Sequence, residues 1–482
     1  MRRFSSVLGA VTTAFAATLW LSVPSSAAGL TTEMVSVSSA GTQGNGDSFP
    51  EAESISPDGR FVVFDSFASS LVSGDTNAGA DVFRHDRSTG QTIRVSVSSS
   101  SEEGNGDSFN GAISSDGHLV AFDSGASNLV AGDTNKNADV FLRDVSAGTT
   151  TRVSLTSSGK QANADSFAPV LSDDGRLVVF SSDARLAPED TNRRVDVYVR
   201  DLLTGQIRLV SVSSTGQPGN DDSFVEGPPS ADDRFVAFAS FASNLVSGDT
   251  NDALDVFLHD LLTGVTTRLS LSSSDQQGDA DSFGSKLSAN GRFVAFTSFA
   301  DNLVRHDANG FADAFVRDLK TGRTTLVSKS STGDQGNDDS FSSKGISGDG
   351  RFVAYRSFAS NLVPGDTNGG ADVFLFDRST GQTVLVSVSA TGEQGVYPFA
   401  DGSYNVGISE NGAWVLFGSI ATNFVPGGDT NGDENGDTFV RGPFGTTTDP
   451  ALTSEGSART GSAAVATSSD RTAAGCRDVH RC

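Results

Sequence analysis

Cysteine is nearly missing from this chain. Its 482 residues hold two, Cys476 and Cys482, both among the last seven positions. No disulfide can therefore brace the body of the protein, and a chain this long can bury enough apolar surface to fold without one. Basic residues are also scarce. Thirty-four Lys and Arg against 59 Asp and Glu leave a net charge of −25, and no basic stripe offsets it, which argues against nucleic acid or an anionic membrane surface as partner. Histidine is confined to His85, His118, His259, His306 and His480. The first three replace Arg or similar residues at what read as surface strand positions, so they make a poor triad or metal set. No Gly-x-Ser-x-Gly elbow, His-Glu-x-x-His helix or phosphate-binding glycine loop occurs.

Apolar runs are short everywhere except at the start. Arg2-Arg3, a weakly apolar stretch from Val7 to Val23 broken by Thr12, Thr13 and Thr18, and then Ser26-Ala27-Ala28 read as a secretory signal peptide over residues 1–28. The stretch is too interrupted for a membrane anchor. Cleavage after Ala28 would remove Arg2 and Arg3 and deepen the net charge to −27. The expected location is outside the cytoplasm, with no membrane insertion. From position 445 to 482 Thr, Ser, Ala and Gly dominate and strand patterning stops, which reads as a disordered tail.

What the chain has in abundance is repetition. A block of about 58 residues occurs seven times between Thr31 and Phe444. Its anchor Asp58-Gly59-Arg60-Phe61 returns as Asp116-Gly117, Asp174-Gly175, Asp232-Asp233-Arg234-Phe235, Asn290-Gly291-Arg292-Phe293, Asp349-Gly350-Arg351-Phe352 and Asn411-Gly412. Each block is too short to bury an apolar face by itself, so the copies must pack on one another. Within a block, four strand-like runs are separated by turns such as Asp-Gly and Thr-Gly, which supply the positive φ of tight antiparallel connections. The first run is small (Asn110-Gly111-Ala112-Ile113-Ser114) and suits a crowded axis. The second is apolar on both faces (Phe235-Val236-Ala237-Phe238), and the fourth alternates (Ile93-Arg94-Val95-Ser96-Val97-Ser98).

A four-stranded sheet with a crowded inner edge and a half-wet outer edge is a propeller blade. The expected fold is therefore all-β: a seven-bladed β-propeller of four-stranded blades over residues 29–444. The first outer-type strand, Thr32 to Ser38, precedes any complete blade, and the last copy stops after its third strand at Asp437-Thr438-Phe439-Val440. The N-terminal strand is thus expected to finish the last blade and close the ring, removing two free sheet edges.

The pattern Ser-x-Asp-Gly-Arg-Phe-Val-Ala-Phe, followed by Asp-Val-Phe-Leu-x-Asp-Leu-x-Thr-Gly, resembles the WD40-like repeat of TolB-type β-propellers. The resemblance spans essentially Thr31 to Phe444. It implies an extracytoplasmic propeller that serves as a binding platform or as an accessory domain of a peptidase. The chain departs from that pattern in two long, acidic loops per blade.

One loop, between the second and third strands, carries Gly-Asp-Thr-Asn-x-x-x-Asp. Its members are Asp75, Asn77 and Asp81; Asp133, Asn135 and Asp139; Asp190, Asn192 and Asp196; Asp249, Asn251 and Asp255; Asp307, Asn309 and Asp313; and Asp366, Asn368 and Asp372. Closely spaced oxygen ligands of this kind suit Ca²⁺, which takes six to eight hard ligands at flexible geometry. The seventh copy is fuller, with Asp429, Asn431, Asp433 and Asp437, and resembles the calcium loops of integrin-type propellers. Asx capping of the loop backbone explains the same residues without a metal. The second loop carries Asn-x-Asp-Ser-Phe, read as structural: Asp caps the turn and Phe plugs between blades.

Departures from the repeat are the candidate ligand-binding positions: Arg193 and Arg194, His306, and the expanded link into the last blade with Tyr397, Asp401 and Tyr404. No catalytic residue stands out. The sequence reads as a secreted, monomeric binding or scaffold propeller for a protein or carbohydrate ligand, stabilised by calcium. The other reading is an extracellular hydrolase or lyase with a metal-assisted site in the central channel.

Overall fold

A computed structural model describes residues 29–398, 402–432 and 435–445. The expected signal peptide and tail, and the candidate residues Asp401 and Asp433, lie outside the described residues. The described residues form seven four-stranded antiparallel sheets arranged as a propeller. The first blade is built from Ser48–Ile55, Phe61–Ser66, Asp81–Asp86 and Gln91–Arg94, running from inner to outer strand. The other blades repeat that order. The last has Ser403–Ile408 innermost and takes Thr31–Met34 as its outer strand. Thr31 stands opposite Gly442 and Met34 opposite Phe439, so the ring closes as the sequence implied.

Each blade carries one stacked aromatic pair between its second and third strands, from Phe64–Phe83 at 5.7 Å to Phe417–Phe439 at 5.8 Å. Apolar clusters then run from blade to blade. Ala121 and Val140 of the second blade pack with Leu171, Val178 and Phe180 of the third. The Asp-Gly turn is part of this joint. Gly59 has φ +76°, and a Cβ there would stand 2.2 Å from the Trp414 ring of the last blade. Gly117 meets Phe61 of the preceding blade in the same way. The Asp-Gly-Arg-Phe motif therefore supplies both a tight turn and the seat for a neighbouring ring.

The inner strands are not regular. In six blades their pairing with the second strand shifts register at a bulge. In the fourth the inner strand is cut to Ser223–Val225 and followed by Glu226-Gly227-Pro228-Pro229. Bulge residues take up positive φ, as at Asn110 (58°), Ala168 (50°) and Lys344 (66°). Their freed amides turn to the neighbouring blade: Asn110 N–H donates to Asp65 Oδ2 (2.7 Å) and Ser342 N–H to Thr297 Oγ1 (2.8 Å). Bulges of this kind re-aim side chains at the ends of barrels and next to binding sites.

One expectation is corrected here. His85 and His259 are not at surface positions. Both are buried in third strands and hydrogen-bond Thr92 and Thr266, whose hydroxyls donate to Val37 and Val212 of the preceding blade. The Phe of the Asn-x-Asp-Ser-Phe loop sits part-buried at the channel mouth, where Phe49 meets Tyr404 and Phe109 meets Phe67 of the neighbouring blades. The Asp of that loop does cap the backbone: Asp107 accepts the Ala80 amide (3.0 Å) and Asp339 the Ala312 amide (2.8 Å).

Candidate functional site

The acidic loops converge on a common arrangement. The last Asp of each loop begins the third strand and is fully buried, as Asp81, Asp139, Asp196, Asp255, Asp313 and Asp372 show. One of its oxygens accepts the hydroxyl of an outer-strand serine, Ser96 for Asp81 (2.5 Å) and Ser211 for Asp196 (2.6 Å). The loop Asn reaches back to the same carboxylate in four blades: Asn77 to Asp81, Asn135 to Asp139, Asn251 to Asp255 and Asn309 to Asp313. The first Asp of the loop stands beside it, so two carboxylates face one small space.

What fills that space divides the blades. In the first, second and fourth blades the outer strand places an arginine there. Arg94 lies 3.6 Å from Asp75, 2.9 Å from Asp81 and against Glu103. Arg152 pairs with Asp133 (3.0 Å) and Asp139 (3.5 Å), and Arg268 with Asp249 (3.2 Å) and Asp255 (3.5 Å). In the other four blades the same register holds Leu209, Leu326, Leu385 or Met34, and among the described residues no arginine is seen paired with these carboxylates. Neutral donors stand in. Gln335 bridges Asp307 and Asp313 (both 2.7 Å), and Gln43 bridges Asp429 (2.8 Å) and Asp437 (2.6 Å). Tyr198 hydroxyl donates to Asp190 (2.5 Å) and Tyr397 hydroxyl to Asp372 (2.8 Å).

Burial raises carboxyls in both kinds of blade: Asp196 and Asp437 up to about 7, Asp313 and Asp366 up to about 6, and Asp75 and Asp255, beside their arginines, also up to about 6. Orphaned oxygens do divide the blades. Asp196 Oδ2, Asp372 Oδ2 and Asn431 Oδ1 are buried without a hydrogen-bond partner, and all three belong to arginine-free blades. Among the described residues the group of three acidic side chains close enough to share a cation is Asp75, Asp81 and Glu103, and there the Arg94 guanidinium already lies among them.

The symmetry-breaking residues are not brought together. Arg193, Arg194 and His306 are exposed on the loops of the third and fifth blades, and Arg194 pairs with Asp221 at 3.2 Å. Tyr397 turns inward to Asp372 and Ser403. Tyr404 takes the mouth-ring position of the last blade and lies tilted against Phe49, with ring centroids 6.1 Å apart.

The inner strands hold a site that the sequence reading passed over. Five charged residues occupy positions filled elsewhere by Gly, Ala, Ser or Val: Glu51 and Glu53 in the first blade, Glu226 in the fourth, Lys286 in the fifth and Lys344 in the sixth. Lys286 crosses the channel to Glu53 at 2.8 Å, linking the fifth blade to the first. Glu226 accepts the Ser285 amide (2.7 Å). Burial raises both Glu51 and Glu226, and Lys344 opposes the rise in each. Toward the long-loop face this channel opens into a cavity of about 220 Å³ lined by Glu51, Lys344, Thr297, Phe283, Phe341 and Asn405. At the short-turn end it narrows among Pro57, Pro228, Pro229, Asp173 and Glu410. Around the mouth the aromatic rings touch: Tyr404 to Phe49, Phe49 to Phe67 (6.5 Å), Phe67 to Phe109 (6.0 Å), and Phe283 to Phe299 (6.1 Å). Phe67 and Phe299 are 48% and 42% exposed, a large apolar presence for a surface so acidic.

Comparison with solved structures places the fold. An oligogalacturonate lyase in complex with manganese superposes with a TM-score of 0.50 at 11% identity, covering 86% of this chain and 93% of that one. An oligogalacturonate lyase from Vibrio parahaemolyticus gives 0.48 at 12%, covering 86% and 97%. TolB from Acinetobacter baumannii gives 0.37 at 17%, covering 63% of this chain and 58% of that one. The fold of the described residues is a seven-bladed β-propeller, as the repeat read in the sequence implied. At these identities the likeness extends to the fold alone. No protein-family model and no curated protein matches the sequence. Among the described residues no helix is long and apolar enough to cross a membrane.

Proposed function

We propose that this chain is an extracytoplasmic binding propeller whose ligand, a protein or carbohydrate, enters at the long-loop mouth of the axial channel. The observation that carries this is the arc of half-exposed rings around a cavity with buried charges at its floor. Apolar walls with a few placed polar groups are the usual make-up of a ligand site. Aromatic faces at its rim offer contact area at low entropic cost.

Calcium enters the same reading as the support of that face. In the third, fifth, sixth and seventh blades the cation would lie between the paired carboxylates, with Asp190 and Asp196, Asp307 and Asp313, Asp366 and Asp372, and Asp429 and Asp437 as ligands. The loop residues Asn192, Asn309, Asn368 and Asn431 would assist. In the remaining blades Arg94, Arg152 and Arg268 do the same electrostatic work.

The test is a screen of glycans and peptides with a mouth variant beside the parent. Phe283→Ala with Phe341→Ala should weaken any ligand found by about tenfold or more, as loss of buried aromatic anchors does. Both rings are half-exposed, so the melting temperature should change little. Ligands that bind the variant as well as the parent would place the site elsewhere.

A further inference from the structure

The axial channel has more acceptors than donors. Lys286 is committed to Glu53, and Lys344 acts on both Glu51 and Glu226. Beyond these, Asp65 and Asp123 stand at the inner ends of their second strands, nearly fully buried. They are held only by Asn110 and by backbone amides. Four polar atoms along this path are buried with no hydrogen-bond partner: Glu53 Oε1, Asp65 Oδ1, Ser285 Oγ and Ser342 Oγ. Glu53 is nine-tenths buried. Its orphaned oxygen points toward Gly227, lying 3.7 Å from where a Cβ would stand. Leaving such groups unpaired is costly, the more so when they are charged. The serine hydroxyls can donate as well as accept, whereas the Glu53 and Asp65 oxygens call for a small donor, which a cation supplies most strongly.

We propose that the channel mouth binds a primary ammonium group carried on a slender chain, with Glu51 and the carboxylates behind it as acceptors and Phe283 and Phe341 as its apolar flank. An ammonium supplies three donors and no acceptor, which is what the orphaned oxygens lack. A cation at the face of Phe also gains from the ring quadrupole. The space sets the shape: about 220 Å³ at the mouth and only about 40 Å³ beside Glu51, Glu53 and Asn110. A branched or quaternary head would not pass from the mouth into that inner space. The same chemistry is carried by a free alkyl diamine and by the lysine side chain of a protein. This inference rests on the reading of the mouth as the binding site and adds the class of ligand.

Titration calorimetry on the full chain in calcium tests it, with 1,4-diaminobutane and Nα-acetyl-lysine amide as probes and tetramethylammonium as the control. Saturable heat from one or both amines and none from tetramethylammonium is the expected result; the stronger amine tells a free diamine from a protein side chain. Glu51→Gln should weaken that binding by about tenfold or more while leaving the fold intact, since a neutral side chain suits its buried place. Lys344→Met should tighten it by removing a competing cation. No heat from either amine, or equal affinity in Glu51→Gln, would overturn the proposal. Should the amines fail while ligands from the screen still depend on Phe283 and Phe341, only the ligand class is wrong. Should those ligands also ignore both rings, the binding face falls with it.

Discussion

Deleting residues 29–40 will abolish the native fold, not merely loosen one blade. Thr31–Met34 is the outer strand of the last sheet, and its loss would expose the paired edge at Asp437–Gly442. Two cross-ties go with it. Thr32 hydroxyl donates to Val388 O (2.6 Å), and the Arg441 guanidinium donates to Thr32 Oγ1 (2.5 Å). Ser36 hydroxyl donates to buried Asp437 (2.8 Å), which without that donor would be a less compensated buried charge. In a closed ring each blade needs both neighbours, so the effect should match the total stability of a typical domain, about 5–15 kcal/mol. Circular dichroism and size-exclusion chromatography should show an unfolded or aggregated chain. A chain ending at Gly445 keeps every contact named here and should melt with the parent. A folded monomer lacking residues 29–40 would show that the ring does not depend on its closing strand.

The second large effect is on pH. Without calcium, the protein should be most stable near pH 5 and lose stability steadily toward pH 8. Burial raises Asp123, Asp196 and Asp437 to about 7 and Asp313 and Asp366 to about 6. Unfolded aspartates titrate near 3.9. Between those limits the folded state holds protons that the unfolded state has lost. The contribution is full below about pH 4 and disappears as pH rises through about 7. Other carboxylates work in the opposite sense. Arg292 holds Asp318 down to about 2, and hydrogen bonds from Thr76 and Arg94 hold Glu103 at about 2 against its burial. Their stabilisation is present above about pH 4 and is lost only as pH falls toward 2, which sets the acid limit of the optimum. The melting temperature in chelator should be about 5 °C or more higher at pH 5 than at pH 8. Millimolar calcium should flatten that slope, because a cation replaces the protons. A flat profile in chelator would mean that these carboxyls are solvated.

The repeat made the fold legible because one physical solution serves all seven copies. The Asp-Gly turn, the doubly apolar second strand and the displaced first outer strand each point to the same ring, and the structure has them where expected. The acidic loops were legible as a group. Their division was not, although Arg94, Arg152 and Arg268 stand openly in the sequence. They read as the wet face of an alternating strand, and only the register Phe83↔Arg94 puts the guanidinium between Asp75 and Asp81. The axial charges were hidden for a related reason. Each inner strand bulges at its own point, so a two-residue alternation does not tell which of Glu51, Glu53, Lys286 and Lys344 faces the axis. The mouth rings were masked by the many other phenylalanines, since a ring at the end of a strand reads like one in its middle.

The most direct measurement is a count of calcium ions bound per chain, by calorimetry and by equilibrium dialysis after removal of metal. If an arginine serves as the cation in three blades and calcium in four, the count should approach four. Mg²⁺ should bind more weakly because it resists dehydration and demands a stricter octahedron. Replacing the guanidinium in Arg94→Leu should raise the count by one, freeing Asp75, Asp81 and Glu103 as ligands, and should make the variant's melting temperature more dependent on calcium than the parent's. A count of zero with no shift in melting, or a count of seven with no change in Arg94→Leu, would contradict the account.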